Sequence, residues 1–217
     1  MATAANNDNR NFRFEKTKTI DRLTISLIKK FLNYFWEIVD TLSYKSEKAA
    51  ELYEKSVGEK YKNEYETVGI SKDNKVLHIG CGAYPLSEIA LAKLLGAEVV
   101  GIDKNPNAVK LADDVISKKN LDKKVKIEHG NGTNYSVNGF DVIIVSGCSL
   151  PKGKILENVF KIAKKQSTII IRELNITTDD VLECINSHRD IVVEKKIHHR
   201  GPFLLPIGWS AIHLTKK

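Results

Sequence analysis

Apolar residues fall into two regimes along the 217-residue chain. In the first, Ile20, Leu23, Leu27, Phe31, Tyr34, Phe35, Ile38 and Leu42 recur at three- and four-residue steps, the period of a helix with a wide apolar stripe. A stripe of this kind requires a cover, and packing against the rest of the chain or against a second copy is the ordinary one. The following stretch, SEKAAELYEKSVGEKYKNEYETVG, is more polar and closes at Gly69, a residue suited to a helix C-terminus. Residues 1–18 are rich in Asn and charge with little to bury, which predicts a disordered tail. Residues 19–70 are therefore expected to form a helical extension.

In the second regime, from Lys75, short β-branched runs alternate with helical patterns. KVLHIG, EVVGID, VKIEHGN, FDVIIVSG and STIIIREL read as strands, and segments such as NPNAVKLADDVISKKN, KGKILENVFKIAKK and TTDDVLECINSH read as helices. This alternation predicts an α/β domain over 71–217, with helices on both faces of a mostly parallel sheet. Only the loop RGPFLLPIG separates DIVVEKKIHH from WSAIHLTKK, so the last two strands should form an antiparallel hairpin at the end of the sheet. The length suits one such domain with an appendage too small to fold alone.

The first strand of this domain runs into IGCGAYPLSEIALAK. Gly80 and Gly82 sit in the strand-to-helix turn, where in open α/β sheets ligands meet backbone N–H groups. A third glycine, which a pyrophosphate-binding turn uses for tight helix packing, is absent; Tyr84 and Pro85 stand there and suit a ligand without phosphates. The second strand ends on Asp103, 21 residues after Gly82, a placement from which a carboxylate accepts two ribose hydroxyls. Capping of the helix that follows is its competing role. After the third strand comes GNGT, where Asn131 either meets an adenine edge or forms a simple turn.

Composition narrows the partners. Lysine and arginine outnumber acids by 34 to 27, a formal +7, but the lysines are scattered singly or in pairs without aromatic interleaving, so a solvated surface is expected and nucleic acid is an unfavoured partner. Cys81, Cys148 and Cys184 have neither disulfide-framework nor metal-ligand spacing, which points to a reducing compartment and no metal site. No run reaches the roughly 20 apolar residues of a membrane span, and the N-terminus lacks a signal core. The expectation is a cytoplasmic protein without a membrane partner.

Taken together, IGCG, EVVGID, EHGN, FDVIIVSG and the final hairpin resemble the S-adenosylmethionine-binding, Rossmann-like fold of class I methyltransferases, from about residue 72 to the C-terminus. Such a resemblance implies a seven-stranded, mostly parallel sheet with an antiparallel last strand. The loop GCGAYPLSEIALAK is similar to that of nicotianamine synthases, which transfer an aminocarboxypropyl group from the same cofactor, and the likeness continues through SLPKGKILENVFKIAKKQSTIIIRE. The helical part is shorter than in those synthases, and RELNITTDD lacks their continuation. By the resemblance, Gly80, Cys81 and Gly82 face the methionine part of S-adenosylmethionine, Asp103 the ribose, Asn131 the adenine, and Ser146 with Gly147 the sulfonium side. Tyr84, Pro85, Lys104 and Gly132 complete the implied cofactor set. His78, at a motif position usually acidic, reads as a core residue.

Transfer from a sulfonium is downhill, so the protein mainly aligns the reactants, and a base is required only where the nucleophile carries a proton. His198 ends the sixth strand, and histidine is a residue type suited to proton transfer; Glu173 and, for an amine nucleophile, Glu64 are the other candidates. SGCSLP has no prolines flanking an amide or aspartate, which disfavours methylation of a base amine. Three readings follow: a methyltransferase acting on a small molecule, an aminocarboxypropyl transferase, or a non-catalytic cofactor-binding or partner module, with a homodimer through the N-terminal helix as a further possibility.

Overall fold

The computed structural model describes residues 22–175, 179–201 and 208–217. The expected tail at 1–18 and the interior of the RGPFLLPIG loop lie outside them.

Helix α1 (Arg22–Lys45) ends at Ser46, whose extended backbone breaks the helix, and α2 (Glu47–Tyr53), a π-helical turn (Glu54–Gly58) and α3 (Glu59–Val68) then run on as one continuous rod. Ser46 caps α2 by accepting from Ala49 N, and Gly69 ends α3 with φ +77°, as its glycine suggested. The remaining chain alternates β1 (Lys75–Ile79), α4 (Leu86–Ala90, running on as a π turn to Leu95), β2 (Glu98–Asp103), α5 (Pro106–Lys118), β3 (Val125–His129), β4 (Val142–Val145), α6 (Lys152–Ile162), β5 (Thr168–Leu174), α7 (Asp179–Ser187), β6 (Ile191–His199) and β7 (Trp209–Lys216). Every strand expected from the apolar runs is present.

The sheet order is β3-β2-β1-β4-β5-β7-β6. All neighbours pair parallel except β7, which slots antiparallel between β5 and β6. The final pair is thus a hairpin, as expected, and its second strand lies inside the sheet. The chain reverses direction across the sheet between β1 and β4, which opens a crevice at the carboxyl ends of these strands. Two apolar layers flank the sheet. One, containing Val76, Ile144, Ile170, Leu91 and Tyr65, packs under α3, α4 and α5; the other, containing Leu77, Ile143, Ile171, Leu156 and Phe160, packs under α6 and α7.

Helix α1 lacks the first of the two covers expected for its stripe. Its stripe does not rest on the domain: Leu27, Phe31, Tyr34, Ile38 and Leu42 are 42–66% exposed. At 100° per residue these five centre opposite to Lys29, Leu32, Asn33, Trp36 and Asp40, which line the crevice instead. The inner face of α1 is largely polar and its outer face apolar.

Candidate active site

A chamber of about 520 Å³ lies between the carboxyl ends of β1, β2, β4 and β5 below and α1 with α2 and α3 above. One wall follows the glycine loop. Gly82 has φ +71°, and a Cβ there would meet Oδ2 of Asp40, so only glycine admits the close approach of α1. Gly82 N donates to Asp103 Oδ2 at 3.1 Å and Asn105 N to Asp103 Oδ1 at 2.9 Å. Each carboxylate oxygen has two acceptor sites, so one remains on each for a pair of ribose hydroxyls. The free acceptor sites fit a ribose.

Gly80, Cys81, Gly82, Tyr84, Asp103, Lys104, Asn131, Gly132, Ser146 and Gly147 all line the chamber. Cys81 is buried, and burial pushes its thiol well above the ordinary range, which leaves it an inert wall. Tyr84 donates its hydroxyl to Glu54 Oε1 at 2.6 Å, tying the glycine loop to the helical rod. The side-chain oxygen of Asn131 accepts from Thr133 N and Oγ1 at 3.1 and 3.0 Å, so it shapes the turn after β3 that lines the crevice. Pro85 does not line the chamber; it precedes α4 and serves the turn.

The expected bases are redistributed. His198 is exposed and shares a 3.1 Å contact with Ser210 Oγ, outside the chamber. The cause is a bulge in β6 between Val193 and Lys195. Ile191 and Val193 face one apolar layer while Ile197 faces the other, so the bulge exchanges the faces and turns His199 inward. His199 stacks on Trp209 at 5.0 Å and lies 3.3 Å from Glu64 Oε2. Glu64 is no base either. It is buried behind the chamber wall against Arg172 at 3.0 Å. Burial alone would push its carboxyl up, but the Arg172 charge, with His199, holds it below the usual range, so it stays ionised.

Arg172 at the end of β5 has every donor nitrogen occupied: Nε and Nη2 on Glu64, Nη1 on Ser87 at 2.8 Å, and Nη2 also on Tyr65 at 2.5 Å. Its guanidinium lies 3.6 Å over the Tyr61 ring. It anchors α3 to the sheet and holds Tyr61 at the chamber wall. Next to it, Glu173 is fully buried, 3.0 Å from Lys29 of α1 and 4.0 Å from Lys152. Glu173 lines the chamber, as expected, but as an anchor for the cover. Lys152 also donates to the carbonyls of Ser146 and Arg172, and burial pushes its ammonium down to about 8. His78 is buried, as expected, 2.7 Å from Glu88.

One acid was missed. Asp40 Oδ2 accepts Ala83 N at 3.1 Å. Burial raises its carboxyl to about 7, against the lowering effect of the Tyr84 and Ala83 N–H groups and with help from the charges of Asp103 and Glu88. It stands at the boundary between the glycine loop and the cover. Tyr53 and Tyr61 line the same upper wall, with Tyr53 stacked on Trp36 at 5.9 Å. Among the described residues no cluster of His, Cys, Asp and Glu has metal-binding geometry, and no helix is long and apolar enough to cross a membrane.

Residues 70–200 match the family model for a methyltransferase domain. The chain belongs to that family. It has a Rossmann-like methyltransferase fold. Ribosomal protein L11 methyltransferase of Thermotoga petrophila is 27% identical over 147 residues, covering 66% of this chain and 46% of that protein. L-histidine 2-aminobutanoyltransferase of Yersinia pestis is 28% identical over 120 residues, covering 55% and 45%. The chain spans about half the length of the curated relatives it matches. Among solved structures, a glutamate-to-glutamine mutant of MtNAS in complex with S-adenosylmethionine aligns with TM-score 0.74 and 20% identity over 90% of this chain and 78% of that one. The geranyl diphosphate C-methyltransferase of Streptomyces coelicolor A3(2) aligns with TM-score 0.57 and 9% identity over 68% and 74%. Residues 70–217 are only 148 of the 217 positions, so a methyltransferase-fold likeness over 90% of the chain necessarily takes in helices of the cover.

Proposed function

We propose that this methyltransferase-family chain moves a methyl group from S-adenosylmethionine to an amine of a small zwitterionic acceptor lodged under the helical cover. The observation that carries the reading is Asp40, an acid raised to about 7 on the inner face of α1 and hydrogen-bonded to the glycine loop. When bound, S-adenosylmethionine supplies an electrophilic carbon on a positively charged sulfur. The chain's own residues then have two tasks. The first is orientation: Asp103 and the glycine loop fix one reactant, while Lys29, Tyr53 and Tyr61 offer a charge and hydroxyls to the other. The second is proton removal, because an ammonium has no lone pair until it loses a proton. A carboxylate whose affinity for protons lies near neutrality suits that transfer. Both reactants must share about 520 Å³, which favours an acceptor of amino-acid size.

One observation favours a second reading, transfer of the aminocarboxypropyl group. The likeness to MtNAS extends into the cover helices, and a related structure has MtNAS in complex with MTA and tNA; the Yersinia relative is named for moving an aminobutanoyl group to L-histidine. Product identity separates the two. With a mixture of amino acids and small amines, mass spectrometry should show acceptor-dependent S-adenosylhomocysteine. Methylthioadenosine in its place would establish the second reading. A protein that binds cofactor yet forms neither product with any amine would defeat both.

A further inference from the structure

We propose that α1 pairs antiparallel with α1 of a second copy, so that one helix closes the cofactor chamber with its inner face and dimerises with its outer one. Two-sidedness is the starting point. Lys29, Asn33 and Asp40 hold the inner face to the domain through Glu173, the Cys148 carbonyl and Ala83 N. That leaves Leu27, Phe31, Tyr34, Ile38 and Leu42 at 66, 62, 63, 42 and 54% exposure. Steps of four, three, four and four residues are those of a coiled-coil seam. At about 1.5 Å per residue the seam is roughly 22 Å long.

The seam is complementary to itself. An antiparallel partner whose two-fold axis passes near Leu32 and Asn33 sets Leu27 against the second copy's Ile38 and Phe31 against the second copy's Tyr34. Exposed Lys30 and Glu37 lie seven residues apart on the same flank. In that register Lys30 of each copy meets Glu37 of the other, so the pair forms twice. A parallel pairing sets the Lys30 flank against Phe35 instead and makes no such pairs. The arrangement is isologous, as closed dimers require.

The area is sufficient. Side chains of this size, about half exposed, contribute roughly 100 Å² each, or on the order of 500 Å² per copy and 1,000 Å² in total before the lysine and glutamate stems are counted; this reaches the lower range of specific interfaces. A lipid surface is the weaker occupant, because a helix lying on a bilayer needs a dense cationic face. The face of α1 opposite the stripe is turned into the chamber, and its flank mixes Lys30 with Glu37.

Sedimentation velocity on the full chain across a micromolar dilution series is the test. A dimer of about 49 kDa, twice the 24.4 kDa chain, is expected, and Phe31→Glu with Tyr34→Glu should give the monomer while circular dichroism stays unchanged. Should that pair disturb folding, Leu27→Lys alone should raise the dimer dissociation constant at least tenfold. Lys30→Glu should weaken the dimer, and adding Glu37→Lys to the same chain should restore it. A wild-type chain monomeric at every concentration, whether its stripe is covered by residues 1–21 or captured by phosphatidylserine vesicles in a co-sedimentation arm, would overturn the proposal. So would a dimer indifferent to all of these changes, and failure of the charge exchange to restore pairing would overturn the antiparallel register.

Discussion

At the scale of single residues, the site depends on two carboxylates with opposite duties. Asp103 has both oxygens oriented by backbone N–H groups, and Asp103→Ala should weaken S-adenosylmethionine by about 1–3 kcal/mol in calorimetry, the cost of a lost charged hydrogen bond; unchanged affinity in a folded variant would remove the ribose assignment. Asp40 is the acid we propose for proton transfer. With its carboxyl at about 7, kcat/KM should fall tenfold for each pH unit below about 7, and Asp40→Asn should abolish that limb and cost about 10²-fold or more in kcat. The same group has a stability signature. Its folded pKa lies above the unfolded value, so the folded state binds the proton more tightly and loses stability as pH rises from about 4 to 7. Melting of the cofactor-free Asp40→Asn protein should therefore gain on wild type over that range; parallel melting curves from pH 4 to 8 would contradict the raised pKa. Asp103 was legible in the sequence because a strand end and a glycine turn frame it. Asp40 was not, since its partner, Ala83, is 43 residues away and nothing local marks the contact.

At the scale of elements, the apolar runs announced all seven strands, since a β-branched run between breakers has few other solutions. Their facing was harder to read. One bulge in β6 exchanges which histidine points inward, and a single extra residue leaves no trace in a two-residue period. The same limit applies to α1: periodicity identified its apolar stripe but not that the polar face would be the one turned inward. Between α3 and β5, the pair Glu64–Arg172 is buried on both sides, at 0 and 4% side-chain exposure. Removing one partner strands the other charge, so Glu64→Ala should cost about 3–5 kcal/mol in chemical denaturation. A loss within 1 kcal/mol would mean that the pair does not anchor the helical rod.

At the scale of the whole molecule, the sheet domain and its cover are joined by different physics. The strands are welded by two continuous apolar layers, whereas α1 rests on the domain through Lys29–Glu173, Asn33–Cys148, Asp40–Ala83 and Tyr44–Asp114, with Leu32 and Trp36 as its main apolar contributions. Lifting such a helix uncovers little hydrocarbon. Its amides should therefore exchange with deuterium through openings almost insensitive to added urea, while those of β1, β4 and β5 should follow the steep urea dependence of global unfolding. The roof of the chamber can in that case rise and settle many times within the lifetime of one folded molecule.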